Sequence, residues 1–249
     1  VLFLNGDHIN LIMVTYHRPN DLRACLESII NDTIVPYHLH IIDNSVGAID
    51  KVIEDYEQYE SITFYKNKSN IGKPKAVNKH YDQIMKNYPL SYFVSIDSDI
   101  VVTRGWLLEL VRSYQSISHN IKVGLIAPVI KNAKHETWGW QLANKVRMHN
   151  ICNIGADDFY SGVFSNRYTA GPVLLINRKL FENLGKFDSS QRYGADDGIL
   201  CRKCDNHGCF IGINTNTSVI HLNNDSDQEY EDWKTRNIRA DIDQTGRWG

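Results

Sequence analysis

The sequence predicts an α/β protein: a mostly parallel central sheet flanked by helices, with a smaller subsheet on one side. Three observations carry this. Short β-branched and aromatic runs alternate with segments of helical spacing through residues 1–100. Those runs end in polar clusters, Thr15-Tyr16, Asp43-Asn44-Ser45 and Asp97-Ser98-Asp99. A chain of 249 residues, 42% hydrophobic and 22% charged, can bury one large α/β core.

Residues 10–16, NLIMVTY, read as a buried strand that runs into His17-Arg18-Pro19-Asn20. Residues 21–30 then place Leu22, Cys25, Leu26, Ile29 and Ile30 on one helical face, with Asn20 as the expected N-cap. A second strand follows at 38–42, a helix at 49–59 and a third strand at 62–65. The loop NIGKPKAVN, residues 70–78, opens a helix that runs to about residue 88. Residues 92–102, YFVSIDSDIVV, complete a βαβαβαβ alternation up to Asp97, which implies parallel strands with helices on both faces.

Ligands in such sheets sit beyond the carboxyl ends of the strands, where the three polar clusters fall. Asp97 and Asp99 are two apart in an extended segment, so their side chains point to one side and can converge. Hard oxygen ligands of this kind suit Mg²⁺ or Mn²⁺ together with a substrate phosphate. A surface turn capping the strand is the alternative reading of the same residues.

Further along, residues 106–118 carry an amphipathic helix with Leu107, Leu110, Val111 and Tyr114 on its apolar face, and 123–129 a strand. Residues 131–167 lose periodicity; Trp138 and Trp140 there are either acceptor platforms or packing for a small subsheet. A strand within 169–178, which includes Gly171 near its start, leads to a short helix stopped by Gly185. Then Tyr193-Gly194-Ala195-Asp196-Asp197-Gly198 opens a helix from Ile199 to His207, closed by Gly208. Adjacent carboxylates at a helix N-terminus are favoured by the macrodipole, so simple capping is one reading of Asp196 and Asp197. A final strand at 218–222 carries His221, which reads as structural or as a ligand.

The charge balance, 27 Lys+Arg against 29 Asp+Glu, gives no basic stripe and argues against general nucleic-acid binding. No apolar run approaches the roughly 18 residues of a membrane span, and no secretion signal precedes the first strand. Five cysteines, an odd number without a framework, point to a reducing compartment. The expected location is the cytoplasm, either free or peripheral to a membrane. Cys201, Cys204 and Cys209 lack a fourth zinc ligand at usual spacing and are expected as buried helix residues.

Taken in order, IMVTYHRPNDLRACLESI, IIDNS, NIGKPKAVN, SIDSDI, GKFD and YGADDGILCRK resemble GT-A glycosyltransferases, family 2 in particular. The resemblance spans residues 10–222 and implies a Rossmann-like GT-A domain over 1–222. Residues 1–100 would form its nucleotide-sugar half and 101–222 its acceptor half. Residues 223–249 would be a C-terminal flap or the start of a further region. It implies an inverting, metal-dependent transfer of a sugar from a nucleoside diphosphate sugar, a UDP-sugar above all, to a hydroxyl on a glycan, lipid, protein or nucleic-acid base. Thr15, Tyr16, Arg18, Asp43, Asn44, Asn70, Gly72, Lys73, Asn78, Asp97 and Ser98 would contact the donor. Asp99, His221 and Asp97 would hold Mn²⁺ or Mg²⁺. Gly171, Tyr193, Trp138, Trp140 and Trp248 would lie toward the acceptor.

The acidic pair at this place in the family is usually Glu-Asp; here Asp196 replaces the Glu. Counting back from Gly208 without gaps puts Asp197 at the general base and Asp196 beside it. The segment Gln244-Thr245-Gly246-Arg247-Trp248 has the spacing of a motif found in processive members. No membrane helices accompany it, so a polymerising synthase is not implied. The rival readings are a nucleotidyltransferase, which lacks here its usual Gly-rich phosphate loop after Thr15, and a nucleotide- or sugar-binding protein without turnover.

Overall fold

A computed structural model describes residues 7–137, 162–165, 168–190 and 196–222, together with Asp232 and Arg236. The elements are β1 (Ile9–Thr15), α1 (Pro19–Asp32), β2 (Tyr37–Asp43), α2 (Asp50–Tyr56), β3 (Ile62–Lys66), α3 (Lys73–Met85) and β4 (Tyr92–Asp97). After these come β5 (Ile100–Val102), α4 (Trp106–Ser118), β6 (Val123–Asn132), β7 (Val163–Ser165) and β8 (Val173–Asn177). The helices Arg178–Asn183, here α5, and Asp196–Asn206, here α6, precede β9 (Phe210–His221).

Among the described residues, the nine strands join one sheet in the order β3-β2-β1-β4-β8-β6-β9-β5, with β7 added on β9. The four strands β3, β2, β1 and β4 are mutually parallel, as the helical alternation requires. β8 enters antiparallel between β4 and β6, and β6 runs parallel to β9. β5 and β7 each pair antiparallel with β9.

The central strands are apolar on both faces because helices cover both. On β1, Leu11 and Met13 pack with Leu22, Leu26 and Ile29 of α1 and Leu107, Leu110 and Val111 of α4. Ile12, one residue out of phase, joins Val77 and Tyr81 of α3, Phe181 of α5 and Leu200 of α6 on the other face. Period-2 geometry imposes that division. It recurs on β4, with Val94 and Ile96 on one side and Phe93 on the other. Burial of such side chains supplies the main favourable term, about 1.5–3 kcal/mol for each large one.

Boundaries depart from the sequence expectation, three element starts among them. Helix α1 starts at Pro19, and the N-cap position belongs to Arg18 at φ 57°, ψ 55°; Asn20 already lies in the first turn. Proline is pre-organised for the first helical position, which places the start ahead of Asn20. Helix α6 begins at Asp196, which puts both acidic residues in its first turn. β9 begins at Phe210, eight residues before the expected Ser218, because the polar stretch after Gly212 still pairs along β6 through a bulge at Pro128/Val129. The expected helix stops hold: Gly185 and Gly208 both have φ in the left-handed region, at 80° and 63°. Cys201 and Cys204 are buried in α6 and Cys209 is buried just before β9, where desolvation pushes the Cys201 and Cys204 thiols up to about 12. Among the described residues, no helix is long and apolar enough to cross a membrane.

Candidate active site

Parallel pairing aligns the carboxyl ends of β1, β2 and β4. Thr15 stands opposite Asp43, and Val14 opposite Asp97. Ser98 and Asp99 form the turn from β4 into β5, where Ile100 pairs with His221. The Leu222 amide donates to the Asp99 carbonyl at 2.9 Å, which fixes the end of β9 beside that turn. Ligand atoms of Asp97, Asp99 and His221 therefore all lie within 4.8 Å of one another.

Two cations enter this cluster. Arg18 places Nη1 2.9 Å from Asp99 Oδ2 and Nη2 2.7 Å from Asp21 Oδ2. Lys73, the first residue of α3, sits 2.6 Å from Asp97 Oδ1 and 3.7 Å from Asp196 Oδ2. Burial alone would lower the Lys73 pKa, but Asp97 and Asp196 outweigh it and hold the amine charged. Burial pushes the Asp97 carboxyl above the usual carboxylate range although Lys73 pulls it down, and Asp99 adds to the rise. Four carboxylates thus share two side-chain cations. That surplus of negative charge, with an imidazole on the same side, is a donor set that fits Mg²⁺ or Mn²⁺.

The acidic pair divides its work. Asp197 Oδ2 accepts from the Tyr168 hydroxyl at 3.0 Å and from the Gly171 amide at 2.8 Å, while Oδ1 accepts from the Gly198 amide at 2.7 Å. Burial raises the Asp197 carboxyl, and neighbouring Asp196 raises it further. Burial and the Asp197 charge also raise the Tyr168 phenol. Asp196 faces Lys73, and through it Asp97. The Asp97 amide donates to the Pro172 carbonyl at 2.8 Å, so the segment beside Asp197 is tied to the end of β4.

The remaining donor-side candidates gather near the same edge. Asp43 is 1% exposed, and its Oδ1 accepts from the Ser45 amide at 2.6 Å; Ser45 Oγ in turn accepts from the His17 amide at 2.8 Å. Asn44 Nδ2 donates to Asn70 Oδ1 at 3.3 Å, and that oxygen also accepts from the Gly72 amide at 2.9 Å. Buried Thr15 Oγ1 and Asn70 Nδ2 have no hydrogen-bond partner among the described residues. The Tyr16 ring stands edge-on to His17, at 4.3 Å between centroids, and Ser98 is half-buried. The Asn78 amide bridges the Phe187 backbone through Nδ2 at 2.8 Å and Oδ1 at 3.2 Å.

Trp138, Trp140, Tyr193 and Trp248 lie outside the described residues. Three side chains at this edge escape the sequence reading. Tyr168 falls between the aperiodic stretch 131–167 and the strand expected from 169, and only its place three residues before Gly171 hints at a shared site. Asp21, an acid in the first turn of α1, anchors Arg18. Asn67 donates to Asn44 Oδ1 at 2.8 Å and receives Lys79 Nζ at 2.6 Å, bracing the loop that carries Asn70.

Comparison with known proteins bears on the fold and the family. Among curated proteins, "Glycosyltransferase GlyA" of Streptococcus pneumoniae serotype 4 is 25% identical over 122 residues, which is 49% of this chain and 17% of that protein. Among solved structures, the mannosyltransferase PcManGT from Pyrobaculum calidifontis, in complex with GDP-Man and Mn²⁺, superposes with a TM-score of 0.68 at 16% identity. That match covers 97% of this chain and 65% of the other. GalNAc-T7 with UDP, GalNAc and Mn²⁺ gives a TM-score of 0.63 at 14% identity, over 87% of this chain and 44% of the other. The chain thus spans less than two thirds of each of these proteins, and the two structural likenesses establish the GT-A fold. The model of glycosyl transferase family 2 matches residues 10–185, most of the chain, and the protein belongs to that family.

Proposed function

We propose that this chain moves a sugar from a nucleoside diphosphate sugar to an acceptor hydroxyl, with inversion at the anomeric carbon. One observation carries the reading: Lys73 spans from Asp97, in the Asp97–Asp99–His221 cluster, to Asp196 at the head of α6. A candidate ion site and an acidic pair therefore face each other across a single side chain. Residues 1–100 form the donor half in this reading and 101–222 the acceptor half. Thr15, Tyr16, Asp43, Asn44, Asn70 and Gly72 receive the nucleoside. Asp97, Asp99 and His221 hold Mn²⁺ or Mg²⁺, which when bound offsets the charge that grows on the leaving diphosphate.

In the transfer step the acceptor oxygen bonds to the anomeric carbon as the bond from that carbon to the diphosphate breaks. The acceptor proton passes to a carboxylate. We assign that role to Asp196. Its carboxylate faces Lys73, whereas both oxygens of Asp197 already accept from Tyr168, Gly171 and Gly198. Asp197 then fixes the head of α6 against Gly171. Counting along the sequence favours Asp197 as the base, and its raised pKa is the observation on that side. UDP-sugars are the first donors to test and GDP-sugars the second, since the structural neighbours hold UDP and GDP-Man.

The test is release of nucleoside diphosphate from a panel of UDP- and GDP-sugars with Mn²⁺. Asp196→Asn is expected to lower kcat by on the order of 10²–10⁴-fold while leaving nucleotide affinity intact. Asp197→Asn is expected to lower the melting temperature, with a smaller loss of turnover. Wild-type turnover in Asp196→Asn would return the base to Asp197, and no release from any donor would refute the transferase reading.

A further inference from the structure

One oxygen of the candidate ligand set serves two partners. Asp99 Oδ2 lies 2.9 Å from Arg18 Nη1 and 3.4 Å from His221 Nε2. The Arg18 and Asp99 side chains are only 11% and 12% exposed, so this pair works largely out of water. The second arm of the guanidinium is 2.7 Å from Asp21 Oδ2. Arg18 reaches both carboxylates from a left-handed backbone, φ 57°, directly after His17 at φ 54°. Two successive non-glycine residues in that region are unfavourable. The corner is kept by the His17 amide on Ser45 Oγ and by the Leu22 amide on the Arg18 carbonyl. Strain of this kind persists where the side chain's position matters.

The sequence expectation places Arg18 among the donor contacts. We propose instead that Arg18 is the resident counter-ion of the cation site: it neutralises Asp99 while no divalent ion is bound and weakens the binding of that ion. The inference rests on the reading that Asp97, Asp99 and His221 hold a divalent cation. A carboxylate with little access to water is costly without a cation, and a forked guanidinium on Asp99 and Asp21 removes that cost. The same fixed positive charge opposes a second cation at the same oxygen. Arg18 therefore trades metal affinity for integrity of the metal-free site.

The experiment is a Mn²⁺ titration of the wild type, Arg18→Gln, Arg18→Gly and Asp99→Ala, with free Mn²⁺ counted by electron paramagnetic resonance and melting temperatures measured in parallel. Arg18→Gln is expected to bind Mn²⁺ about tenfold more tightly, the factor that a nearby unit charge gives even at near-aqueous screening. Its metal-free form is expected to melt lower than the wild type and to gain more on Mn²⁺ addition. Arg18→Gly removes the same charge and suits the left-handed corner, so it shows the same tightening if the glutamine variant fails to fold. Equal or weaker Mn²⁺ binding in the Arg18 variants, with binding lost in Asp99→Ala, would overturn the counter-ion role and leave the metal site standing. No Mn²⁺ binding by any of the proteins would overturn both.

Discussion

Gly171→Ala is the substitution through which the site geometry makes its most exposed prediction. The φ of Gly171 is outside the left-handed range, so space alone decides whether alanine fits. A Cβ there would come 2.7 Å from Asp197 Cβ and 2.9 Å from its Oδ2, against the 3.4 Å at which ordinary contact begins. The head of α6 must retreat by about 0.7 Å, the difference between 2.7 and 3.4 Å. That movement stretches the 2.8 Å bond from the Gly171 amide to Asp197 Oδ2. A hydrogen bond to a charged group contributes about 1.5–3 kcal/mol, and overpacking costs about 1–3 kcal/mol, so a loss of roughly 2.5–6 kcal/mol is expected. At this chain length each kcal/mol lowers the melting temperature by roughly 2–4 °C. Since Asp196 shares the displaced turn, turnover is expected to fall on the order of 10²-fold with nucleotide affinity nearly unchanged. Calorimetry with steady-state kinetics reads both quantities. Gly198→Ala is the control: its Cβ meets only the Tyr168 ring edge at 3.4 Å, and alanine inside a helix is favoured over glycine by about 1 kcal/mol. Wild-type melting and turnover in Gly171→Ala would refute the claim that this glycine sets the position of the acidic pair.

Other consequences are simpler. The buried His40 imidazole lies between Asn10 Oδ1 at 3.1 Å and Tyr65 Oη at 3.2 Å, and burial, reinforced by His38, lowers its pKa from 6.5 to about 3. Between those values the unfolded chain binds a proton that the native chain refuses, so stability falls as pH drops. From pH 7 to pH 5 this one group removes about 2 kcal/mol, and urea unfolding of His40→Gln should show a correspondingly flatter pH profile. Asn78→Ala leaves the backbone of buried Phe187 unpaired at both its N–H and C=O, so a loss of about 2–4 kcal/mol is expected in the same assay, with full nucleotide affinity retained. Lys73→Met removes the cation between Asp97 and Asp196. Weaker nucleotide diphosphate binding by calorimetry is expected, and unchanged binding would detach Lys73 from the site.

The local parts of this fold are legible in the sequence because they are written as periodicities. Residues 10–16 read as a strand and β1 spans Ile9–Thr15, one residue earlier, and Leu22, Leu26 and Ile29 face the core as their spacing predicts. Asp97 and Asp99 converge as expected, but through the Ser98-Asp99 turn that ends β4, where the sequence expectation is a continuous extended segment. What escapes is fixed by partners distant in sequence. Nothing near Tyr92 announces that β8 will enter antiparallel beside it, and the full length of β9 follows from pairing with β6. Sequence leaves His221 as a structural residue or a ligand, and only its pairing opposite Ile100 brings it beside Asp99. Arg18 touches Asp99 and Tyr168 touches Asp197, contacts with no local signature.

The central claim, that Asp97, Asp99 and His221 hold a divalent ion that binds a nucleotide diphosphate with it, is tested most directly by titration calorimetry of UDP and GDP with and without Mn²⁺. The account predicts that one nucleotide binds measurably only with Mn²⁺, and that Asp99→Ala abolishes this binding while remaining folded. Binding of equal strength without metal, or unchanged in Asp99→Ala, would contradict it.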